Sequence, residues 1–222
     1  MRPNLRPRLV NGRFGDPAVF VEQLHQRSAL LFDLGDLAAL STRDLLRVDH
    51  VLVSHMHMDH FIGFDALLRV HVGRAKRITL CGPVGIGERV GHKLAGYEWD
   101  LVDNYPNDLV FDVIELQSDV RAKRLMFRLK NRFAVEYIDI IRINARAIVE
   151  TPDFSVAAAI LEHHGPSIAY AVAEPLHVNV GQQGARARTG ARPVAEAAQA
   201  GGARGAAGRL VDRTAGWIIC ST

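Results

Sequence analysis

Short apolar runs and helical periodicities alternate along most of this chain. Ala18-Val19-Phe20-Val21 and Ala29-Leu30-Leu31-Phe32 read as two paired strands, with Gln26-Arg27-Ser28 between them as a turn. Val48 to Ser54 is a third strand, short and apolar enough to be buried. Beyond it, Phe64, Leu67, Leu68 and Val72 recur at i, i+3, i+4 and i+8, which is one apolar face of a helix. Ile78-Thr79-Leu80-Cys81 returns to strand and is closed by Gly82-Pro83, after which Ile86 to Tyr97 supports another helix. Later strand-like runs are Leu109 to Leu116, Leu125 to Leu129, Ala147 to Val149, Phe154 to Leu161 and Ile168 to Ala173. Many strands with helices between them predict an α/β sandwich rather than a bundle.

The texture changes at Gly181. From there Ala, Gly and Arg dominate, lysine is absent, and Trp217-Ile218-Ile219 is the one compact apolar group. Such a stretch buries too little surface to offset the entropy of ordering it. Two segments are therefore expected: a folded portion over residues 1–180 and an Ala/Gly/Arg-rich tail over 181–222, disordered or read in a shifted frame. The second option rests on Ala191 to Gln199, whose residues permit codons that read Leu-Gly-Pro-Trp-Leu-Lys-Arg-Leu-Lys in a neighbouring frame.

Composition narrows the class. With 222 residues, 48% hydrophobic and 23% charged, the chain has ordinary globular composition, so disorder is not the expectation for its body. The net charge of +3 comes from the tail, where six arginines face only Glu196 and Asp212, so the body is close to neutral. A basic balance thus gives the folded part no claim on nucleic acid. Met1 to Arg8 carries three arginines and two prolines with no apolar run behind, which predicts neither a signal peptide nor a membrane span and a cytoplasmic protein. Cys81 and Cys220 are expected to be reduced thiols.

The chemistry concentrates in Ser54-His55-Met56-His57-Met58-Asp59-His60. Three histidines and an aspartate within six residues, straight after a buried strand, call for more than packing. Residues i and i+2 of a strand share a face, so His55 and His57 can converge on one ion. A turn into helix after His57 would swing Asp59 and His60 toward a neighbouring position. Imidazole and carboxylate donors suit Zn²⁺, although Mn²⁺ or Fe²⁺ use the same ligand types.

This H-x-H-x-D-H spacing resembles the metallo-β-lactamase superfamily, and within it the chain is most similar to ribonuclease Z, the endonuclease that trims the 3′ end of precursor tRNA. Four stretches carry the resemblance: Phe32-Asp33-Leu34-Gly35-Asp36, then Val53 to Gly63, then Cys81 to Ile86, and Leu161 to Tyr170 (LEHHGPSIAY). It implies an α/β fold, the superfamily's αββα sandwich, with the C-terminal half incomplete. It also implies that Asp33 orients the histidine loop. Aligning on Pro166 and Ser167 makes His163 a further ligand, while His164 falls where the family varies. His55, His57 and His163 would then hold one Zn²⁺, and Asp59 and His60 a second, with Asp59 also orienting the attacking water. Precursor tRNA is the implied partner, and a homodimer the implied assembly.

The chain departs from that pattern downstream. Ribonuclease Z also uses a bridging aspartate, another histidine and a C-terminal histidine that protonates the leaving group, but no histidine follows Val180 here. One well-held metal and a loosely held second are expected, with weak phosphodiesterase turnover. Two other readings stay open: a hydrolase of the same fold acting on a small ester, lactone or phosphodiester, and an inactive truncated homologue. A basic stretch from Arg121 to Arg142 with Phe127 and Phe133 interleaved offers phosphate contacts or simply a solvated strand face.

Overall fold

The strand Val48–Leu52 lies inside an eight-stranded sheet, which is why its apolar run has no polar alternation: Val51 and Leu52 are buried on opposite faces. A computed structural model describes residues 3–144, 147–162, 165–175 and 215–219. In chain order the large sheet contains β1 (Leu5–Leu9), β2 (Val19–Gln23), β3 (Ala29–Phe32), β4 (Val48–Leu52), β5 (Lys76–Gly82), β6 (Leu109–Ser118), β7 (Arg121–Arg128) and β8 (Val135–Arg142). Spatial order follows sequence order. Strands β3 to β6 run parallel, and antiparallel hairpins extend both sides.

Parallel neighbours require crossovers, and each of the three here contains a helix. The helix α1 (Thr42–Arg47) leads into β4, α2 (Phe64–His71) joins β4 to β5, and α3 (Ile86–Ala95) precedes β6. Their apolar sides, through Phe64, Leu67, Leu68, Val90 and Leu94, pack on Leu31, Val51, Leu80, Phe111 and Val113 of one sheet face. The other face presents Val21, Leu30, Phe32, Leu52 and Cys81 to a second, four-stranded sheet. That sheet is ordered β12 (Ala215–Ile219), β11 (Pro166–Glu174), β10 (Ser155–Glu162) and β9 (Ala147–Glu150), and it contributes Val156, Ala158, Ile168, Tyr170 and Val172.

The result is a helix, sheet, sheet stack, an α/β architecture of the metallo-β-lactamase type. The outward positions of β10 and β11 are Ala157, Ala159, Ala169, Ala171 and Ala173, a flat half-buried surface that no helix covers among the described residues. The fourth layer of the αββα sandwich belongs there, so among the described residues this half is incomplete.

Several boundaries differ from the sequence reading for local reasons. The helix α2 stops at His71, with Val72 already extended, and α3 stops at Ala95, with Gly96 as its C-cap. The strand β1 escapes the pattern because Arg6, Pro7 and Arg8 interrupt it; as an edge strand it tolerates the proline. Ser41 and Asp44 form a reciprocal capping box that starts α1, a signal that was present in Ser-Thr-Arg-Asp. Cys81 is a buried free thiol, and Cys220 lies outside the described residues. Residues 215–219 pair antiparallel with β11, setting Ala171 opposite Ile218. The remainder of the 181–222 segment lies outside the described residues.

Candidate metal centre

The histidine loop starts where β4 ends, and the fold anchors that point from three sides. Val53 donates its N–H to the Cys81 carbonyl at 2.8 Å, continuing the ladder to β5. From the second sheet, the Tyr170 hydroxyl lies 2.8 Å from the Val53 carbonyl and 3.3 Å from that of Cys81, and the Ile168 N–H reaches the Ser54 carbonyl at 2.8 Å. Thus the Pro-Ser-x-x-Tyr run of β11 meets the start of the loop.

The third anchor is Asp33, which leaves β3 in a left-handed conformation, φ 57°. Aspartate tolerates that conformation better than most residues, and here it turns the carboxylate toward the loop. One oxygen accepts the Ser54 N–H at 2.7 Å, and both lie within 2.9 Å of the Ser54 hydroxyl. The second oxygen is 3.0 Å from His60 Nδ1. Asp33, Ser54 and His60 are all buried.

This network assigns tautomers. With its single proton on Asp33, Ser54 Oγ can accept from His55 Nδ1 at 3.1 Å, while His60 donates from Nδ1 to Asp33. His60 Nε2 then faces Asp59 Oδ2 across 3.6 Å, lone pair against carboxylate oxygen. Two acceptors so placed call for a proton or a cation between them. Burial lowers the pKa of His60, but the hydrogen bond and charge of Asp33, helped by Asp59, outweigh it and leave the net shift upward. His55 shifts the other way, chiefly through burial and then through His60 and His57 nearby, which favours its neutral, ligating form.

The rings are crowded. His55 lies 3.7 Å from His60 and 4.6 Å from His57 between ring centroids, and a short 3₁₀ turn over Met58–His60 leaves His57 and Asp59 exposed at the rim. As the side chains stand, no three His, Cys, Asp or Glu groups among the described residues are arranged to hold a metal ion. The donor chemistry fits a divalent cation nonetheless: neutral imidazole in His55, and an imidazole and carboxylate facing each other in His60 and Asp59. His163 and His164 lie outside the described residues, so their approach to the loop rests on sequence. The residues that follow them, Gly165 and Pro166, line a cleft of about 160 Å³ together with His55, His57 and Arg89.

Part of the basic stretch is committed elsewhere. Arg124 and Arg77 converge on buried Asp112, Arg128 pairs with Asp108 at 2.8 Å, and both Phe127 and Phe133 are buried in the helix-side core. Interleaved aromatics are therefore not available on that surface.

Comparison with known proteins points to one family. The chain is 33% identical over 161 residues to the ribonuclease Z of Deinococcus radiodurans, covering 71% of this chain and 48% of that protein. Over that span it is ribonuclease Z-like. The ribonuclease Z of Staphylococcus epidermidis is 26% identical over 159 residues, or 68% of this chain and 41% of that one. The ribonuclease Z-like chain thus spans about half the length of the curated relatives it matches. Among solved structures, the short form of human tRNase Z superposes with a TM-score of 0.46 at 19% identity, over 77% of this chain and 62% of that one. The metallo-β-lactamase fold protein YhfI from Bacillus subtilis gives 0.43 at 13%, over 76% and 54%. No protein-family profile matches the chain. No helix among the described residues is long and apolar enough to cross a membrane.

Proposed function

We propose that this chain carries the metal-binding half of a zinc-dependent phosphodiester hydrolase of the ribonuclease Z kind, acting on precursor tRNA in the cytoplasm. The observation that supports it best is the histidine loop itself: Asp33 and Ser54 fix His55 and His60 from behind, leaving donor atoms directed at one another on the open side. The 33% identity to a ribonuclease Z over 161 residues supports this choice of substrate class.

In this reading His55, His57 and His163 hold one Zn²⁺, and Asp59 and His60 a weaker second. Bound zinc lowers the pKa of water toward neutrality and offsets phosphate charge. The protein's own part is positional. Asp33 keeps the His60 proton on Nδ1, so Nε2 stays a donor of electrons, and it raises the basicity of that ring. Asp59, with its side chain about half exposed at the rim, would also accept a hydrogen bond from an incoming water and orient it. Ser54 couples the two buried histidines to one carboxylate. Homodimerisation is part of the same proposal.

The decisive assay compares cleavage of a precursor tRNA with hydrolysis of bis-p-nitrophenyl phosphate and a small ester, with zinc added and removed. Slow, zinc-dependent cleavage at the 3′ side of the acceptor stem supports the reading. Hydrolysis of the ester alone would replace it with a small-substrate hydrolase.

A further inference from the structure

Beside the histidine loop the surface opens into a hollow of about 470 Å³, separate from the Asp33 network. Its floor comes from the loop and the turn after it, through Met56, Met58, Phe61 and Ile62. Its far wall is α3, where Arg89 and His92 are exposed one helical turn apart. Met58 is 77% exposed and Ile62 48%, an unusual exposure for two large apolar residues flanking ionic chemistry.

Charge distinguishes the walls. No aspartate or glutamate lines the hollow, while His57, Arg89, His92 and Lys93 do. Lys93 is neutralised by Asp65 at 2.7 Å, so the positive character rests on Arg89 with His92 behind it. Arg89 also lines the smaller cleft that contains His55, His57, Gly165 and Pro166. It therefore stands between the proposed hydrolytic centre and the apolar hollow. Its guanidinium rests on the carbonyl of Gly85, 3.1 Å away, and Gly85 takes φ +87°, where a Cβ would come within 2.4 Å of that guanidinium. The loop is thus shaped to let the arginine lie across it.

We propose that this hollow seats the unpaired nucleotide next to the scissile phosphate of an RNA, with the base on Met58 and Ile62 and its phosphate held by Arg89. The proposal rests on the ribonuclease reading for its substrate class. The flat face of a base with an attached phosphate matches a floor of thioether and alkyl groups beside one cation. The size is also right, since small-ligand sites span roughly 300–1,000 Å³. Arg89 is here a substrate-binding residue, not one that performs chemistry.

The test measures binding rather than cleavage. A fluorescein-labelled single-stranded RNA hexamer is titrated by anisotropy in EDTA, so metal loading plays no part, and the same oligomer with abasic sugars serves as the second probe. Arg89→Ala is expected to weaken binding of both probes about 5- to 20-fold and to lower the salt slope by ~0.7, the value for one phosphate contact on a single strand. Met58→Ala with Ile62→Ala is expected to weaken the hexamer several-fold and leave the abasic probe unchanged. Arg89→Lys should recover part of the loss. Both variants alter exposed side chains, and unchanged thermal melting verifies the fold. Wild-type affinity in both variants would overturn the proposal, as would a polyglutamate peptide that binds as tightly as RNA. Failure of precursor tRNA cleavage with this binding pattern intact would instead count against the hydrolase reading alone.

Discussion

Asp33 accepts the backbone N–H of Ser54 at 2.7 Å across 21 positions of sequence, and that bond ties the end of β3 to the origin of the histidine loop. The same carboxylate reaches the Ser54 hydroxyl and His60 Nδ1, so one buried side chain sets the loop's path and the tautomer of a proposed ligand. Replacing it with alanine strands a buried N–H and a buried imidazole N–H. Asp33→Ala is expected to cost about 3 kcal/mol in urea unfolding and to weaken zinc affinity roughly 10- to 100-fold in a competition titration. Unchanged stability would show that the network does not hold the loop.

Tyr170 reports the contact between sheets. Its ring packs edge-on against Phe32 at 6.0 Å, and its hydroxyl reaches across to the Val53 carbonyl. Tyr170→Phe keeps the ring and removes the hydroxyl, so a loss of about 1–2 kcal/mol is expected, with the buried Val53 carbonyl left without that donor. Chemical-shift changes should concentrate at Val53 to His55. Shifts confined to β11 would mean the hydroxyl does not position the loop.

Acid sensitivity should come from His71. It is fully buried, with Nε2 3.1 Å from the Leu45 carbonyl; burial lowers its pKa to about 4, the Leu45 bond opposing. A folded pKa below the unfolded value of 6.5 means that folding favours the neutral ring. The stability is present in full above pH 6.5 and drains as pH falls toward 4, with about 2 kcal/mol gone by pH 5. His71→Gln retains a donor for Leu45 and should flatten the curve by that amount relative to wild type. Parallel curves would refute the assignment. His60 acts in the opposite sense, because its raised pKa stabilises the fold below pH 6.5 and loses effect as pH rises through the shifted value.

Asp112 is a second carboxylate with structural weight. It is 4% exposed and receives Arg77 and Arg124 at 2.5 and 2.6 Å. Burial opposes its ionisation, but the bonds from Arg124 and Arg77 win, and its pKa falls below the usual carboxylate range. Asp112→Asn should cost about 3 kcal/mol, because the arginines lose the buried partner for their charge. A change below 0.5 kcal/mol would show that solvent replaces the carboxylate without loss.

The legibility of the fold varied with burial. Strand β4 and helix α2 could be read because each buries a continuous apolar face, and His55 to His60 because their density has no packing explanation. The strand β8 was not read from Val135 to Arg142, since its apolar residues are largely exposed at the sheet edge and alternate with Glu136 and Asp139. Arg124 and Arg128 looked like a basic face until Asp112 and Asp108, distant in sequence, claimed them. Pairing across strands cannot be seen in one strand's composition. The hollow under Met58 and Arg89 was equally hidden, because it forms only when α3 folds beside the loop.

The most direct measurement is zinc binding by the full chain, followed by isothermal titration at pH 7 for wild type, His55→Ala with His57→Ala, and His163→Ala. The account expects at least one Zn²⁺ per wild-type chain, with affinity falling 100-fold or more in the double variant and substantially in His163→Ala. Equal zinc affinity in all three proteins would contradict it.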